Sequence, residues 1–176
     1  MKIRILSILS FAVVFNLSAQ KDELKAASKA IKAADYAQAK SILDGAKSLV
    51  DGQDDARTKS TFYSYLGEAS YNLALEDDSM YDTAIDAYQN VINVEKESGK
   101  VRYTAEAEQK LSQITANLIN GAVDDQQSGS FASAAAKLYK GYQLRPMDTI
   151  YLYYAAGSAV NAQDYDKALK YYIELK

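Results

Sequence analysis

The sequence predicts an all-α protein, and three observations support this prediction. Only one proline and eight glycines occur in 176 residues, so few residues break a helix. Apolar residues recur every three or four positions through most of the chain, as on the buried face of a helix. A spacing of large, small and large residues also recurs at four places. Because cysteine is absent, the fold has to be stabilised by buried apolar surface rather than by disulfide bonds.

The recurring spacing, which we call the seam, places a large residue, a small one three positions later and a large one four beyond that. Residues at these spacings share one face of a helix. The small residue lets a neighbouring helix approach closely, and the large residues fill the space one turn to either side. The four copies of the seam are Tyr36, Ala39, Leu43 and Ala46; Tyr81, Ala84, Tyr88 and Val91; Phe131, Ala134, Leu138 and Gly141; and Tyr165, Ala168, Tyr172 and Leu175.

Eight helices follow from this periodicity and from the breaks between periodic segments. Glycine, acidic residues and serine cluster at the breaks, where they favour turns. The fifth helix is unusually long, because no proline or turn signal interrupts it. The predicted helices span about residues 22–34, 36–48, 58–75, 81–94, 101–127, 131–144, 149–162 and 165–176.

Several helix ends carry residues that favour a cap or a stop. Asp35, with Gln38 three residues later, approximates a capping box for the second helix. Ser79 and Ser130 are the expected caps of the fourth and sixth helices. Pro146 ends the sixth helix, because the residue before a proline is forced out of helical geometry.

The last two copies of the seam are separated by 34 residues, from Ala134 to Ala168, which is the period of one class of helix-turn-helix repeat. Tyr63, Leu66 and Gly67 fit part of the first-helix pattern of that class. The chain therefore resembles the tetratricopeptide repeat (TPR) family, as an exported bacterial-type member, over residues 20–176. The resemblance implies a right-handed superhelix (solenoid) of about four helical hairpins, at about residues 20–53, 58–96, 101–146 and 149–176.

Residues 1–19 have the three parts of a secretory signal peptide. Lys2 and Arg4 precede an apolar run from Ile5 to Phe15, and small residues follow at Ser18 and Ala19. The apolar run is too short to span a membrane, which takes about 20 residues. We therefore expect an exported protein, periplasmic or extracellular in the cell envelope, without a membrane span after cleavage.

Composition argues against most catalytic and nucleic-acid-binding functions. Neither histidine nor cysteine is present, which excludes serine and cysteine triads and zinc sites built from these residues. The net charge is −3, and loss of residues 1–19 makes it two charges more negative, so a phosphate-binding surface is not expected. No phosphate loop or dinucleotide motif occurs. We expect no enzyme activity, no cofactor and no nucleic acid partner.

Three acidic pairs, Asp54 with Asp55, Asp77 with Asp78, and Asp124 with Asp125, are the remaining candidates for a catalytic or metal site. Carboxylates could bind calcium or act as the two acids of a glycosidase. Adjacent residues point in different directions on a helix, however, and each pair lies at or near a predicted turn. We interpret the pairs as solvated helix ends, and predict no metal site.

The resemblance implies that the first helix of each hairpin lines a concave groove that holds a partner. By position, the partner-binding residues are Tyr71, Ile119, Val123, Ile150, Tyr153 and Val160, accompanied by Ala116, Gln126 and Gly157. The corresponding positions nearer the N-terminus are Lys21, Leu24, Ser28, Ile31, Thr61, Ser64 and Glu68. These positions lack the set of lysine and arginine residues that would clamp the carboxylate of a peptide.

The function expected from this reading is non-enzymatic binding of a protein or peptide, by a scaffold or assembly factor in the cell envelope. One alternative is that the chain is the N-terminal repeat module of a longer protein whose activity lies downstream. Another is an accessory domain that contacts glycans through exposed aromatic residues. The alternatives are distinguished by finding further chain beyond Lys176, or by retention on immobilised glycans.

We predict that the mature protein begins near Gln20 and lies outside the cytoplasm, because charged, apolar and small-residue segments occur in the order of a signal peptide. Mass spectrometry of the protein from its native cell measures the N-terminus. Intact Met1 in a soluble cytoplasmic fraction would contradict this prediction.

We also predict self-association through the C-terminal helix. Tyr172, Ile173 and Leu175 form an apolar face there, and a solenoid needs a polar terminal element to stay soluble. Further chain, a partner or a second copy should therefore cover this face. Sedimentation over a wide concentration range should show association that Tyr172→Lys or Ile173→Lys weakens, and a strictly monomeric protein would contradict the prediction.

Overall fold

The computed structural model describes residues 21–52 and 55–176, so the predicted signal peptide, residues 1–19, lies outside the described residues. Over the described residues the chain is all-α, as predicted, and contains no strand. None of these helices is both long and apolar enough to cross a membrane. The helices are α1 (21–32), α2 (Tyr36–Asp51), α3 (Ala56–Ala74), α4 (Tyr81–Ser98), α5 (Thr104–Gln127), α6 (Phe131–Leu144), α7 (Thr149–Asn161) and α8 (Tyr165–Glu174), with a short 3-10 turn at Asp78–Met80.

The helices pack into two compact units, each with its own core. Unit 1 contains the described residues up to Gln109, and unit 2 contains Lys110–Lys176, so the boundary lies within α5. Helices that follow each other in sequence are packed against each other: α2 on α3 and α3 on α4 in unit 1, and α6 on α7 and α7 on α8 in unit 2. Short connections between helices favour this antiparallel packing of neighbours.

The core of unit 1 combines small residues of α1 and α2 with larger ones of α2 and α3. Ala27 of α1 and Ala46 of α2 are almost completely buried, and they lie in one cluster with Leu43, Val50 and Phe62. A second cluster joins α1, α2 and α3 through Ala30, Ala39 and Ala69. The small side chains allow the helix axes to approach closely, and the larger ones fill the remaining space.

Gly67 allows a side chain of α4 to pack directly against the backbone of α3. A Cβ atom at this position would lie 2.7 Å from a ring carbon of Tyr88, which is closer than carbon atoms can pack. Tyr88 is 2% exposed, and burial, with Glu68 and Glu106 nearby, raises the pKa of its phenol. The ring of Tyr88, in the second copy of the seam, therefore fills the space that Gly67 leaves open on α3.

Glu95, in the last turns of α4, is a buried charge that connects three helices. Its carboxylate accepts hydrogen bonds from the backbone N–H groups of Arg102 (2.8 Å), Tyr103 (2.9 Å) and Thr104 (2.9 Å) at the start of α5. The hydroxyls of Thr104 (2.8 Å) and of Ser60 on α3 also donate to it. Burial favours the neutral acid, but the hydrogen bonds outweigh it and lower the pKa to about 2.

The core of unit 2 consists mainly of alanine. A single buried cluster draws residues from all four helices of this unit. It includes Ala122 of α5, Ala134 and Ala135 of α6, Leu152, Ala155, Ala156 and Ala159 of α7, and Ala168 and Tyr171 of α8. Gly141 on α6 receives the side chain of Ile119 from α5, since a Cβ atom there would lie 2.7 Å from the Cδ1 atom of Ile119. The ring of Tyr171 stacks on that of Tyr139, with centroids 4.4 Å apart.

Burial confirms the seam in α4 and largely in α2 and α6. All four seam residues of α4 are buried, and in α2 and α6 only the first aromatic, Tyr36 or Phe131, is half-buried. The prediction was wrong for the two tyrosines of the fourth copy, because Tyr165 is 66% and Tyr172 41% exposed. In α8 the helix turns Ala168 and Tyr171 toward α6 and α7, which leaves Tyr165, Tyr172 and Ile173 on the outer face and Leu175 half-buried against the core.

Most predicted helix ends agree with the structure within a few residues. Asp35 accepts a hydrogen bond from the Gln38 N–H at 3.0 Å, and the sixth helix ends two residues before Pro146. The prediction that Ser79 caps α4 was wrong. Asp77 caps the 3-10 turn instead, and α4 has no side-chain cap at Met80. The long fifth helix begins at Thr104 rather than at residue 101, because the preceding backbone is held by Glu95.

Enlarging a seam alanine should destabilise the fold. Ala134 is 0% and Ala168 4% exposed, so leucine at either position must displace a neighbouring helix. We expect each substitution to lower the free energy of unfolding by about 1–3 kcal/mol. Ala136→Leu, on the exposed face of α6, is the matched control and should change stability by less than about 0.5 kcal/mol. Chemical denaturation measures both, and equal midpoints for Ala134→Leu and Ala136→Leu would contradict the packing described here.

Glu95 should make the stability of the fold depend on acid. Its pKa falls from 4.5 to about 2 on folding, so ionised Glu95 stabilises the folded state above pH 4.5, and this contribution is lost as the pH falls toward 2. The shift corresponds to about 3 kcal/mol. Glu95→Gln should lower the free energy of unfolding at neutral pH and weaken its dependence on pH in the acid range. The glutamine amide carries no charge, and its NH₂ group would face the N–H and O–H donors that surround this position.

Glu97→Gln is the control for this measurement, because Glu97 is exposed on the same helical turn. Denaturation curves of the two variants at several pH values separate a buried capping charge from a general effect of acid. Identical pH dependence in Glu95→Gln, Glu97→Gln and the unmodified protein would show that Glu95 is not the group responsible.

Candidate functional site

A groove of ≈ 680 Å³ in unit 1 is the candidate functional site. Its volume lies within the range of pockets that hold ligands, about 300–1,000 Å³. Helix α1 forms one wall and α3 the other. The lining residues are Asp22, Leu24, Lys25, Ala26, Ser28, Lys29 and Lys32 from α1, and Thr61 and Tyr65 from α3.

The burial pattern of α1 decides which of its side chains line the groove. Ala27 and Ala30 are 0% and 5% exposed and pack into the core of unit 1. Each residue of a helix is rotated by about 100° from the previous one, so Lys25, Lys29 and Lys32 lie on the opposite side of α1 from these alanines. The alanines that fix α1 on the core therefore leave the three lysines on the solvent side of α1, where they border the groove.

The floor of the groove is apolar and anchored. Leu24 and Tyr65 line the groove and are also half-buried against the core cluster that contains Phe62 and Leu66. On the α3 wall, the hydroxyl of Thr61 donates a hydrogen bond to the carbonyl oxygen of Arg57 at 2.9 Å. These contacts hold the floor side chains in place before any ligand is bound, which reduces the conformational entropy lost on binding.

Positive charge is concentrated along the α1 wall. Lys25, Lys29 and Lys32 are exposed, and none of them forms an ion pair within the described part of the chain. Asp22 is the one acidic residue of the lining. The three lysines follow the spacing i, i+4 and i+7 and extend over about 10 Å of helix. The aliphatic stems of these lysines add apolar surface while the ammonium groups stay in water.

Three of the positions predicted near the N-terminus line this groove, namely Leu24, Ser28 and Thr61. Ser64 is buried, and Ile31 packs against the cluster of Ala30, Ala39 and Ala69 instead. Tyr71 lies half-buried on α3 and does not line the groove. The groove therefore contains part of the predicted face and extends toward α1.

The other five predicted binding residues lie in unit 2 and are not all equivalent. Ile119 packs against Gly141 and the core cluster, so much of its side chain is unavailable to a ligand. Val123 on α5 is 44% exposed. Ile150, Tyr153 and Val160 form an exposed stripe along α7, and their exposed fractions are 51%, 54% and 41%. Among the accompanying positions, Gln126 of α5 donates to the Ser158 hydroxyl of α7 at 2.8 Å.

Sequence reasoning missed the lysines and Tyr65. The positions taken from the family resemblance lie on one narrow face of each first helix. The groove is also lined by residues on the adjacent face of α1. A signal was present, because Lys25, Lys29 and Lys32 share a helical face. That signal alone is ambiguous, since a row of lysines is also typical of a solvated helix surface.

A second, smaller cavity of ≈ 150 Å³ lies beside Glu95 and is lined by Arg57, Ser60, Glu95, Lys100, Val101 and Arg102. Both carboxylate oxygens of Glu95 accept hydrogen bonds, so this group is a structural anion rather than an available base. Asp55 and Asp77 cap helices, and Asp125 pairs with Lys137 at 2.9 Å. Across residues 21–52 and 55–176 there is no group of three acidic side chains that could hold a metal ion.

No model of a known protein family matches the chain, and no curated protein matches it. Function therefore has to be inferred from the residues of the groove and their chemistry.

Proposed function

We propose that this protein binds a segment of another protein, or a peptide, and acts as a non-enzymatic scaffold or assembly factor in the cell envelope. The observation that carries the proposal is the groove between α1 and α3. Its apolar floor of Leu24 and Tyr65 lies beside a charged wall. Protein interfaces combine an apolar centre with a polar rim in the same way.

The dimensions of the groove suit a short polypeptide segment. The twelve described residues of α1, 21–32, extend over about 18 Å. An extended chain covers this distance with about five or six residues. Leu24 and Tyr65 offer contact surface for one or two apolar side chains of such a segment, and the hydroxyl of Ser28 and the three ammonium groups offer polar contacts.

The packing of the helices within each unit supports the same proposal. Consecutive helices pack as pairs, and Gly67 and Gly141 allow close approach of the large side chains Tyr88 and Ile119. These features support a TPR-like solenoid of helical hairpins, in which the first helices line the binding surface. Export to the envelope is supported by the charged, apolar and small-residue order of residues 1–19.

Site-specific photo-crosslinking in the native cell tests the proposed function. A photoreactive amino acid replaces Thr61 in the groove in one variant and Lys47 on the exposed face of α2 in another. We expect discrete protein adducts from the Thr61 position that the Lys47 position does not give. Equal adduct patterns at both positions, or no protein adduct from the groove, would overturn the proposal.

A further inference from the structure

We infer that the segment held in the α1–α3 groove is acidic, with several carboxylate side chains that pair with Lys25, Lys29 and Lys32; this inference rests on the proposed function. The three ammonium groups share one wall of the groove and have no ion-pair partner within the described residues. Their charge is therefore available to pair with the carboxylates of a bound partner.

The spacing of the lysines requires more than one carboxylate. Lys25 and Lys32 are separated by seven residues of helix, which is about 10 Å along the axis. A single carboxylate, such as the one at the end of a peptide, reaches one or two ammonium groups within ion-pair distance but cannot reach across this span. Acidic side chains two or four residues apart share one face of an extended segment and span about 7 or 13 Å, so they bracket this distance.

The floor of the groove requires an apolar side chain as well. Leu24 and Tyr65 are held against the core, so they present a fixed apolar surface between the charged wall and α3. Burying this surface contributes about 25 cal/mol per Å² of apolar area. Acidic residues alone would leave it in contact with water. The best occupant therefore alternates acidic residues with at least one large apolar residue.

The same features favour a polypeptide over a nucleic acid or a membrane. The chain as a whole has a net charge of −3, which disfavours association with the long phosphate backbone of a nucleic acid. The groove combines its lysines with the apolar side chains of Leu24 and Tyr65, which suits a segment with both acidic and apolar side chains. The positive potential of three lysines acts within about one Debye length, roughly 8 Å at physiological salt, so it selects acidic side chains that enter the groove.

Fluorescence polarisation with a synthetic peptide tests the inference. The probe is a short, labelled peptide with an amidated C-terminus and several glutamates between leucines, and its matched control carries glutamine at every glutamate position. The protein is purified from its native cell in its processed form. We expect the glutamate peptide to bind at least about tenfold more tightly than the glutamine peptide, and we expect added salt to weaken binding of the glutamate peptide. Equal affinity of the two peptides would overturn the inference.

Charge-reversal variants test whether the peptide binds in the groove. Lys25→Glu with Lys29→Glu should weaken binding of the glutamate peptide by about tenfold or more, because the carboxylates then face like charges. The control is Lys47→Glu with Lys96→Glu, which changes the net charge equally at exposed positions of α2 and α4 outside the groove. Circular dichroism confirms that both variants are folded, and equal losses of affinity in the two variants would overturn the inference.

Selection from a random peptide display library separates this inference from the proposed function. If the selected peptides lose binding when the uncharged substitution Thr61→Trp blocks the groove and are enriched in aspartate and glutamate, both are supported. If they need the groove but are not acidic, the proposed function stands and the acidic occupant is wrong. If no peptide depends on the groove, the proposed function itself fails.

Discussion

The fold depends on the close approach of helices through alanine and glycine. Ala39, Ala84, Ala134 and Ala168 are all buried at the same position of the seam, and Gly67 and Gly141 admit the side chains of the neighbouring helix. Small residues bury little apolar area by themselves, but they shorten the distance between helix axes, so the surrounding large side chains make more contacts. In unit 2 this packing produces a core made mostly of alanine, in which Leu152 and Tyr171 fill the larger gaps.

Glu95 is the polar exception to this packing, and it fixes the connection between α4 and α5. A helix begins with backbone N–H groups that have no partner within the helix. Here a buried side chain from the preceding helix accepts from the N–H of Thr104, the first residue of α5, and from the N–H groups of the two residues before it. Ser60 of α3 donates to the same carboxylate. The charge is tolerated at 1% exposure because donors surround it. Removing the carboxylate would leave those donors without this acceptor in the interior of unit 1.

The groove is a consequence of the packing of α1. Ala27 and Ala30 pack α1 on the core, and this orientation leaves Lys25, Lys29 and Lys32 exposed at the border of the groove. Thr61 and Tyr65 of α3 line the same groove. Leu24 and Tyr65 serve two purposes, since each contacts the core and lines the groove. The floor of the groove is therefore anchored by the core of unit 1.

The sequence by itself determined the helical class, the order of the helices and most of the buried seam residues, because helix periodicity and the positions of glycine, proline and capping residues act locally. It could not determine the outcome for Tyr165 and Tyr172, which have suitable seam spacing but are exposed, since burial requires a neighbouring helix and not only a helical face. The start of α5 was likewise misplaced, because Glu95 lies nine residues before Thr104 and its role depends on the folded chain. The candidate site was predicted in part, through Leu24, Ser28 and Thr61. Only the tertiary structure brought the lysines of α1 and Tyr65 of α3 to one groove, because these helices are separated in sequence by the whole of α2.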